Sequence, residues 1–154
     1  MDEKSIQTLE LLSSHELKIA ELYKYYAFHL PDYQAFWEHI SQEEVFHSNW
    51  IKSLVSVAQK HPFSIDKLRF DSYLIQNSIN FLNGLIVADE TIQISPAKAF
   101  QTAYKYEMSM LENDFFEVVS GDPPELSNIL TKLKEETIKH SQELKDKMEE
   151  IKNI

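Results

Sequence analysis

Glutamates and histidines at helical spacing are the residues of this sequence with the clearest capacity for chemistry. Glu44-Val45-Phe46-His47 places a carboxylate and an imidazole three residues apart, so both side chains lie on one face if the segment is helical. Carboxylates that bridge two ions, with one imidazole for each ion, suit iron or manganese. One Glu-x-x-His motif arises easily by chance. It indicates a metal site only if other ligand residues lie on buried helix faces at the same level along the bundle.

Four segments carry rows of apolar residues at steps of three and four, which predicts four helices that each bury one face. The apolar members of the four rows are Leu9, Leu12, Ile19, Tyr23, Tyr26 and Leu30; Tyr33, Trp37, Ile40, Ile51, Leu54 and Ala58; Phe100, Ala103, Tyr104, Met108, Leu111, Phe115 and Val118; and Leu126, Ile129, Leu130, Leu133, Leu144 and Ile151. The four rows are interrupted by ionisable residues, namely Glu16, Glu44 with His47, Glu107, and Glu136 with His140. A carboxylate on a buried row is costly unless it is paired or bound to a metal, so the interruptions predict one shared metal site.

The interrupting glutamates lie at similar distances from the predicted turns. Glu16 and Glu44 lie 15 residues before and 13 residues after Pro31. In the second half of the chain, the matching glutamates lie 15 residues before and 14 residues after Asp122. Residues equally far from the turn of an antiparallel hairpin face one another, here about 20 Å from the turn. The spacing therefore predicts that all four glutamates reach the same level.

Prolines and short polar stretches separate the helices that must position these residues. The predicted helices run from about Ser5 to Leu30, from Pro31-Asp32 to about Lys60, from Asp71 to about Ala88 inside a long connection at 61–96, from Ser95-Pro96 to Gly121-Asp122, and from Pro124 almost to the C-terminus. Two hairpins joined by one long crossover predict an all-α, ferritin-like four-helix bundle with an extra crossover helix. The length predicts a single domain over 1–154.

Composition narrows the classes of function. The formal charge of −10, from 15 basic and 25 acidic residues without a basic cluster, argues against nucleic acid as a partner. The absence of cysteine excludes disulfides, zinc fingers and iron–sulfur or rubredoxin-type sites. The N-terminus does not resemble a signal peptide, and no apolar run reaches the roughly 18 residues of a membrane span. These features predict a cytoplasmic protein without a membrane anchor.

The sequence resembles the rubrerythrin branch of the ferritin-like superfamily across both hairpins. The residues that follow the spacing of a rubrerythrin first helix are Glu16, Ile19, Tyr23, Tyr25, Tyr26 and Ala27. The resemblance implies that Glu16 and Glu107 bind metal, that Glu44 and Glu136 bridge, and that His47 and His140 each serve one ion. Two iron ions are implied, with manganese as an alternative, and so is a peroxide- or dioxygen-reducing or iron-oxidising activity.

Two departures from the family pattern stand out. The pattern places a histidine three residues after Glu136, where this chain has Lys139, and His140 follows one residue later. A single-turn π-bulge would bring His140 into register, whereas without one the Lys139 ammonium would partly replace the metal charge. The second departure is the missing cysteine-bound iron domain, so an external electron-donor protein is expected.

Several assignments have alternatives. Glu21 competes with Glu16 on the first helix, although its neighbours Leu17, Lys24 and Phe28 form a less buried row. Tyr23 is the candidate catalytic side chain beside the metals, whereas Tyr23, Tyr26 and Tyr104 also fit the pattern of core aromatics. The remaining histidines are expected at the surface or at helix ends, and these are His15, His29, His39 and His61.

A second functional hypothesis belongs to a different class. It describes a metal-free helical module that binds another protein through Tyr73-Leu74-Ile75 and Phe81-Leu82 of the crossover helix. Its motivation is Lys139 in place of the expected histidine. The sequence leaves the oligomeric state open, and a homodimer is one outcome because bundles with a spare apolar helix often dimerise.

Overall fold

The structure, a computed structural model, describes residues 3–60, 71–87, 93–118 and 121–152. Within these ranges every regular element is helical, which confirms the all-α prediction. The α-helices are α1 (Glu3–His29), α2 (Gln34–Lys60), α3 (Ser72–Val87), α4 (Pro96–Glu112) and α5 (Pro124–Lys152), with a short 3-10 turn at Pro31–Tyr33 between α1 and α2. No helix in these ranges combines the length and apolarity needed to cross a membrane.

The chain divides into two compact units, Met1–Ile92 and Gln93–Ile154, and each is described by itself. In the first unit, α1 packs against both α2 and α3. Ser13 and Ser48 bring their hydroxyl oxygens to 2.7 Å, and the Ser41 hydroxyl donates to the Ala20 carbonyl at 2.7 Å. The numbers rise along α1 as they fall along α2, so the two helices are antiparallel. Small side chains at these points let the two helices approach closely.

The predicted buried row of the first hairpin is confirmed. Its buried apolar members are Leu9, Leu12, Ile19, Tyr23, Tyr26 and Leu30 on the first helical segment and Trp37, Ile40, Ile51 and Leu54 on α2. Leu17 and Phe28 are exposed, as the weaker row through Glu21 predicted. Tyr33 is only half-buried, and the side chain of Ala58 lies outside the described residues.

In the second unit, α4 packs against α5. The predicted start of α4 is confirmed, because the Ser95 hydroxyl accepts a hydrogen bond from the Lys98 amide at 3.1 Å and Pro96 occupies the first helical position. The buried face of α5 contains Leu126, Leu130, Leu133, Thr137, His140, Ser141 and Leu144. The predicted members Ile129 and Ile151 are half-buried.

The predicted buried arc of α4 is partly wrong. Phe100 and Ala103 are buried, but the face continues through Ala99, Tyr106, Glu107 and Met110. Tyr104, Met108, Leu111 and Phe115 are half-buried, and Val118 is exposed. Apolar residues cover more than half of the circumference of this helix. Two neighbouring rows of residues therefore both fit the spacing of three and four, and the sequence does not show which of them is buried.

The predicted end of α4 at Gly121 is also wrong, because the helix stops at Glu112. Asp114 has φ 51°, in the left-handed region, where aspartate is one of the few non-glycine residues tolerated. The Phe115 amide donates to the Met110 carbonyl at 3.1 Å and the Asp114 amide donates to the Leu111 carbonyl at 3.2 Å. These two bonds form a Schellman motif, which needs a left-handed residue but not glycine.

We expect Asp114→Gly to raise the free energy of unfolding by roughly 0.5 to 1 kcal/mol, because glycine has no Cβ to clash in the left-handed conformation. Urea unfolding measures the change. Asn113→Gly is the matched control, since Asn113 has φ −95° and its side-chain amide donates to the Ser109 carbonyl. The control should lower stability. A loss of stability in Asp114→Gly as well would show that the terminus of α4 is not held by this motif.

Candidate metal centre

The first unit buries three ionisable side chains next to one another in the middle of the α1/α2 pair. Glu16 comes from α1, and Glu44 and His47 come from successive turns of one face of α2. All three are almost fully inaccessible to solvent. The antiparallel pairing brings Glu16 opposite Glu44, as their similar distances from the turn predicted.

The imidazole of His47 lies between the two carboxylates. Its Nδ1 atom lies 3.0 Å from Glu44 Oε2 and 3.7 Å from Glu16 Oε2. Burial alone would lower the pKa of His47, but the hydrogen bonds and negative charges of Glu16 and Glu44 outweigh burial and raise it to about 10. His47 is therefore cationic at neutral pH in the metal-free chain and donates its Nδ1 proton to Glu44.

The pKa of Glu16 is raised as well. Burial, followed by the negative charge of Glu44, raises the pKa of Glu16 to about 7. Two carboxylates in a dry site repel each other and are poorly solvated, so one of them retains a proton more readily. Without a metal ion, the cluster therefore binds protons, and these supply the positive charge that balances its carboxylates.

The donor set of this cluster fits a metal ion. One ligand atom from each of Glu16, Glu44 and His47 lies within 4.8 Å of the others. Two carboxylate oxygens and one imidazole nitrogen suit iron or manganese, and a cation in the site would take over the charge role of the two protons. The cluster matches half of a di-iron carboxylate bundle, in which one helix supplies a glutamate and its neighbour supplies Glu-x-x-His.

The second unit contains a related but smaller cluster. Glu107 of α4 and His140 of α5 are both completely buried, and His140 Nδ1 lies 3.6 Å from Glu107 Oε1. The prediction that both point inward is confirmed. Glu136 is different, because its side chain remains 28% exposed and lies 4.0 Å from the Lys139 ammonium. The prediction that Glu136 points into the bundle is therefore met only in part, since the side chain is partly exposed while one of its oxygens lies within 4.8 Å of a His140 nitrogen.

The structure resolves the alternatives for Lys139. Its side chain is 50% exposed and lies 3.9 Å from Glu143 as well as near Glu136, so Lys139 occupies the flank of α5. The helix is α-helical throughout Pro124–Lys152, and the proposed π-bulge is wrong. His140 reaches the buried face without a bulge because it lies three residues after Thr137, which is buried.

Thr137 is a buried residue next to the second cluster that was not considered from the sequence. It lies on the buried face of α5, and its hydroxyl donates to the Leu133 carbonyl at 2.8 Å. Relative to His140, it occupies the position that the first residue of a Glu-x-x-His motif would occupy. The available signal was that Thr137 lies three residues before His140, but threonine was not considered as a candidate ligand.

Aromatic side chains surround the turn end of the first hairpin. Tyr23 is fully buried, and its ring centroid lies 5.4 Å from that of Trp37. Trp37 in turn lies 4.9 Å from Tyr26, and Tyr26 lies 6.1 Å from the half-buried Tyr25. This packing gives Tyr23 a place in the core, and a catalytic role for it stays a prediction.

His15 corrects the expectation of a surface or capping histidine. It is completely buried, and its Nε2 atom lies 3.0 Å from the hydroxyl oxygen of Ser78 on α3. Burial lowers its pKa, against the opposing effect of Glu16. His29 is half-buried and His39 is exposed, whereas His61 lies outside the described residues. Glu21, the rival ligand on α1, is exposed and bonded to Lys18.

Comparison with known proteins adds no assignment to this geometry. No protein-family model, no curated protein and no solved structure matches the chain. The chemistry of the two clusters therefore has to be inferred from their own residues.

We expect the metal-free protein to lose stability as pH rises. Glu16 and His47 have ordinary pKa values of 4.5 and 6.5, which folding raises to about 7 and about 10. A raised pKa stabilises the fold fully below the ordinary value, and the effect is lost as pH rises through the folded value. Urea unfolding between about pH 5 and about pH 9 should therefore show a falling midpoint.

Glu16→Gln should flatten this pH dependence because it removes one titrating group and part of the charge that holds the His47 proton. Glu21→Gln, which changes an exposed glutamate of the same helix, is the control and should keep the slope. Equal pH profiles for the two variants would show that the buried cluster does not hold the protons assigned to it.

Proposed function

We propose that this chain is a metalloprotein of the di-iron carboxylate class, related in design to rubrerythrin, that reduces peroxide or dioxygen or oxidises Fe(II). The observation that carries the proposal is the buried cluster of Glu16, Glu44 and His47. Evolution rarely buries two carboxylates and an imidazole in a bundle core without a purpose, because the desolvation cost is several kcal/mol per ion. A bound cation offsets that cost.

The first unit would bind an ion through Glu16, Glu44 and His47. In the metal-free chain His47 keeps its proton at neutral pH and Glu16 is about half protonated, since their pKa values are about 10 and about 7. Metal binding then releases protons from both residues, so affinity rises with pH. The buried surroundings keep water away from the donors and hold them at fixed spacing.

The second unit would contribute Glu107 and His140, with Glu136 beside them. We propose that the two helical hairpins form a ferritin-like four-helix bundle in which both clusters serve one centre. This arrangement is supported by the similar number of residues that separates each glutamate from the turn of its hairpin. When bound there, iron supplies the redox chemistry toward peroxide or dioxygen, with manganese as an alternative metal.

Electrons would come from an external donor protein, because this sequence has no cysteine that could bind a rubredoxin-type iron centre beside the proposed glutamate and histidine site. The ring contacts that join Tyr23 to Trp37, Tyr26 and Tyr25 connect the buried core of the first hairpin with a half-buried position. In this proposal Tyr23 is the aromatic side chain that passes electrons or protons toward the metals.

We predict that the metal-free protein binds Fe(II) under anaerobic conditions and that the loaded protein consumes hydrogen peroxide when a chemical reductant is present. Glu44→Gln should lower iron affinity by at least about tenfold, the loss expected even for an outer-shell partner of a metal site. Elemental analysis after dialysis measures iron, and an electrode measures peroxide.

Glu38→Gln is the matched control, because Glu38 lies on the same helix but is exposed and accepts a hydrogen bond from Gln34. It should retain both iron and activity. Circular dichroism of each variant distinguishes a lost ligand from a lost fold. Wild-type protein that retains neither iron nor manganese would contradict the proposal.

A second candidate function, an interaction module, is favoured by the surface of α3. The helix has no charged residue anywhere in Ser72–Val87, although the chain as a whole carries a net charge of −10. Ile75 and Leu82 are buried, whereas Tyr73, Leu74 and Phe81 are exposed on other faces. Large apolar side chains exposed together on an uncharged helix are typical of a protein–protein contact.

We propose a second copy of the same chain as the occupant of this surface. Two chains of net charge −10 repel each other, and the repulsion is least where the contact itself contains no charge. Tyr73 and Phe81 are eight residues apart, about 12 Å along the helix, with Asn77 halfway between them. Two antiparallel copies of α3 would place Tyr73 against the partner's Phe81 and pair the two Asn77 amides, which both donate and accept.

We expect light scattering to give twice the chain mass of 18.1 kDa for the wild type and the single mass for Phe81→Lys, because the added cation would be buried in an apolar contact. Phe28→Lys is the control, since Phe28 is the most exposed large apolar side chain of α1 and lies outside α3. It should leave the dimer intact. A monomeric wild type at about 100 μM would contradict the assignment, given that stable dimers form at micromolar or lower concentrations.

A further inference from the structure

The two clusters differ in one ligand position. In a di-iron bundle each hairpin supplies one lone glutamate and one Glu-x-x-His motif. The first hairpin follows this pattern completely, with Glu16 on α1 and Glu44 and His47 on α2. In the second hairpin Glu107 and His140 occupy matching places, but the residue three positions before His140 is Thr137. The carboxylate of the second motif is therefore missing from the buried face.

Thr137 cannot replace that carboxylate. It is 4% exposed, and its hydroxyl is engaged with the Leu133 carbonyl one turn earlier at 2.8 Å. A neutral hydroxyl also brings no negative charge to balance a second divalent ion, and its side chain is shorter than that of glutamate by two heavy-atom positions. The buried face of α5 thus offers a metal only the imidazole of His140.

Glu136 is an incomplete substitute. Its side chain is 28% exposed and lies 4.0 Å from the Lys139 ammonium, so it shares its charge with a flank lysine. One Glu136 oxygen nevertheless lies within 4.8 Å of a His140 nitrogen. Binding an ion through Glu136 would require the side chain to leave the solvent and to weaken its ion pair. Glu44 of the first hairpin already faces the site and has no such cost.

We propose that the chain binds its two metal ions unequally, with one tight site at Glu16, Glu44 and His47 and one weak site at Glu107 and His140. This inference rests on the proposed function and deepens it, because it assigns the order in which ions bind. The residue that sets the inequality is Thr137. At limiting metal the protein holds one ion, and the second ion joins only when free metal is abundant.

The test is a titration of the full, metal-free chain with Mn(II) under anaerobic conditions, using equilibrium dialysis and elemental analysis. Manganese is used because it does not oxidise during the measurement. We expect one ion to bind at least about tenfold more tightly than the second. Thr137→Glu, which restores the missing carboxylate, should tighten the second ion by at least about tenfold. Ile138→Glu adds the same charge at an exposed position of α5 and should not.

A second pair of variants keeps the inference testable if Thr137→Glu fails to fold. Glu16→Gln should weaken the tight ion, whereas Glu136→Gln should leave the tight ion unchanged and weaken only the second. Loss of the tight ion in Glu136→Gln to the same extent as in Glu16→Gln would overturn the inference. So would an equal gain of metal in Thr137→Glu and Ile138→Glu.

The outcomes also separate this inference from the function on which it rests. Two ions bound with equal affinity by the wild type would overturn the inequality and leave the metalloprotein proposal standing. A wild type that binds no ion, with Glu16→Gln indistinguishable from it, would overturn both.

Discussion

Two buried carboxylates that must share positive charge are the constraint on which the first unit depends. Glu16 and Glu44 come from different helices, and both contact the same nitrogen of His47. This requirement fixes the register of α1 against α2, since a slip of one residue would rotate a carboxylate by about 100° away from the imidazole. The serine contacts between the two helices act in the same direction, because small side chains permit the close approach that the cluster needs.

The two clusters also differ in the number of carboxylates that they bury. In the first unit an imidazolium proton lies between two carboxylates, so removal of that proton leaves a site with a net negative charge and three donors. In the second unit the Glu107 carboxylate lies 3.6 Å from the His140 imidazole, and the Glu136 carboxylate belongs to a side chain that is 28% exposed. The first cluster therefore has two fully buried carboxylates for its one histidine, whereas the second has one.

Much of this arrangement could be predicted from the sequence, and the failures have physical causes. The rows through Glu16 and through Glu44 with His47 were correct because the apolar residues beside them are few and regularly spaced. The partial exposure of Glu136 was not predicted because Glu136 and Thr137 are adjacent residues on opposite sides of the line through Leu133 and Leu144. That line alone does not show which of the two is more deeply buried. The end of α4 was missed because aspartate, rather than glycine, adopts the left-handed conformation at position 114. His15 was missed because a row analysis of single helices contains no information about α3.

The position of α1 between two neighbours has a consequence for how this sequence can diverge. Glu16 faces α2 and the adjacent His15 faces Ser78 of α3, so consecutive residues satisfy different partners. A helix that is covered on two sides has few positions where a substitution meets only solvent. We therefore expect α1 to tolerate the fewest substitutions among the helices of its unit, and variation among descendants of this chain to accumulate on the outer face of α2.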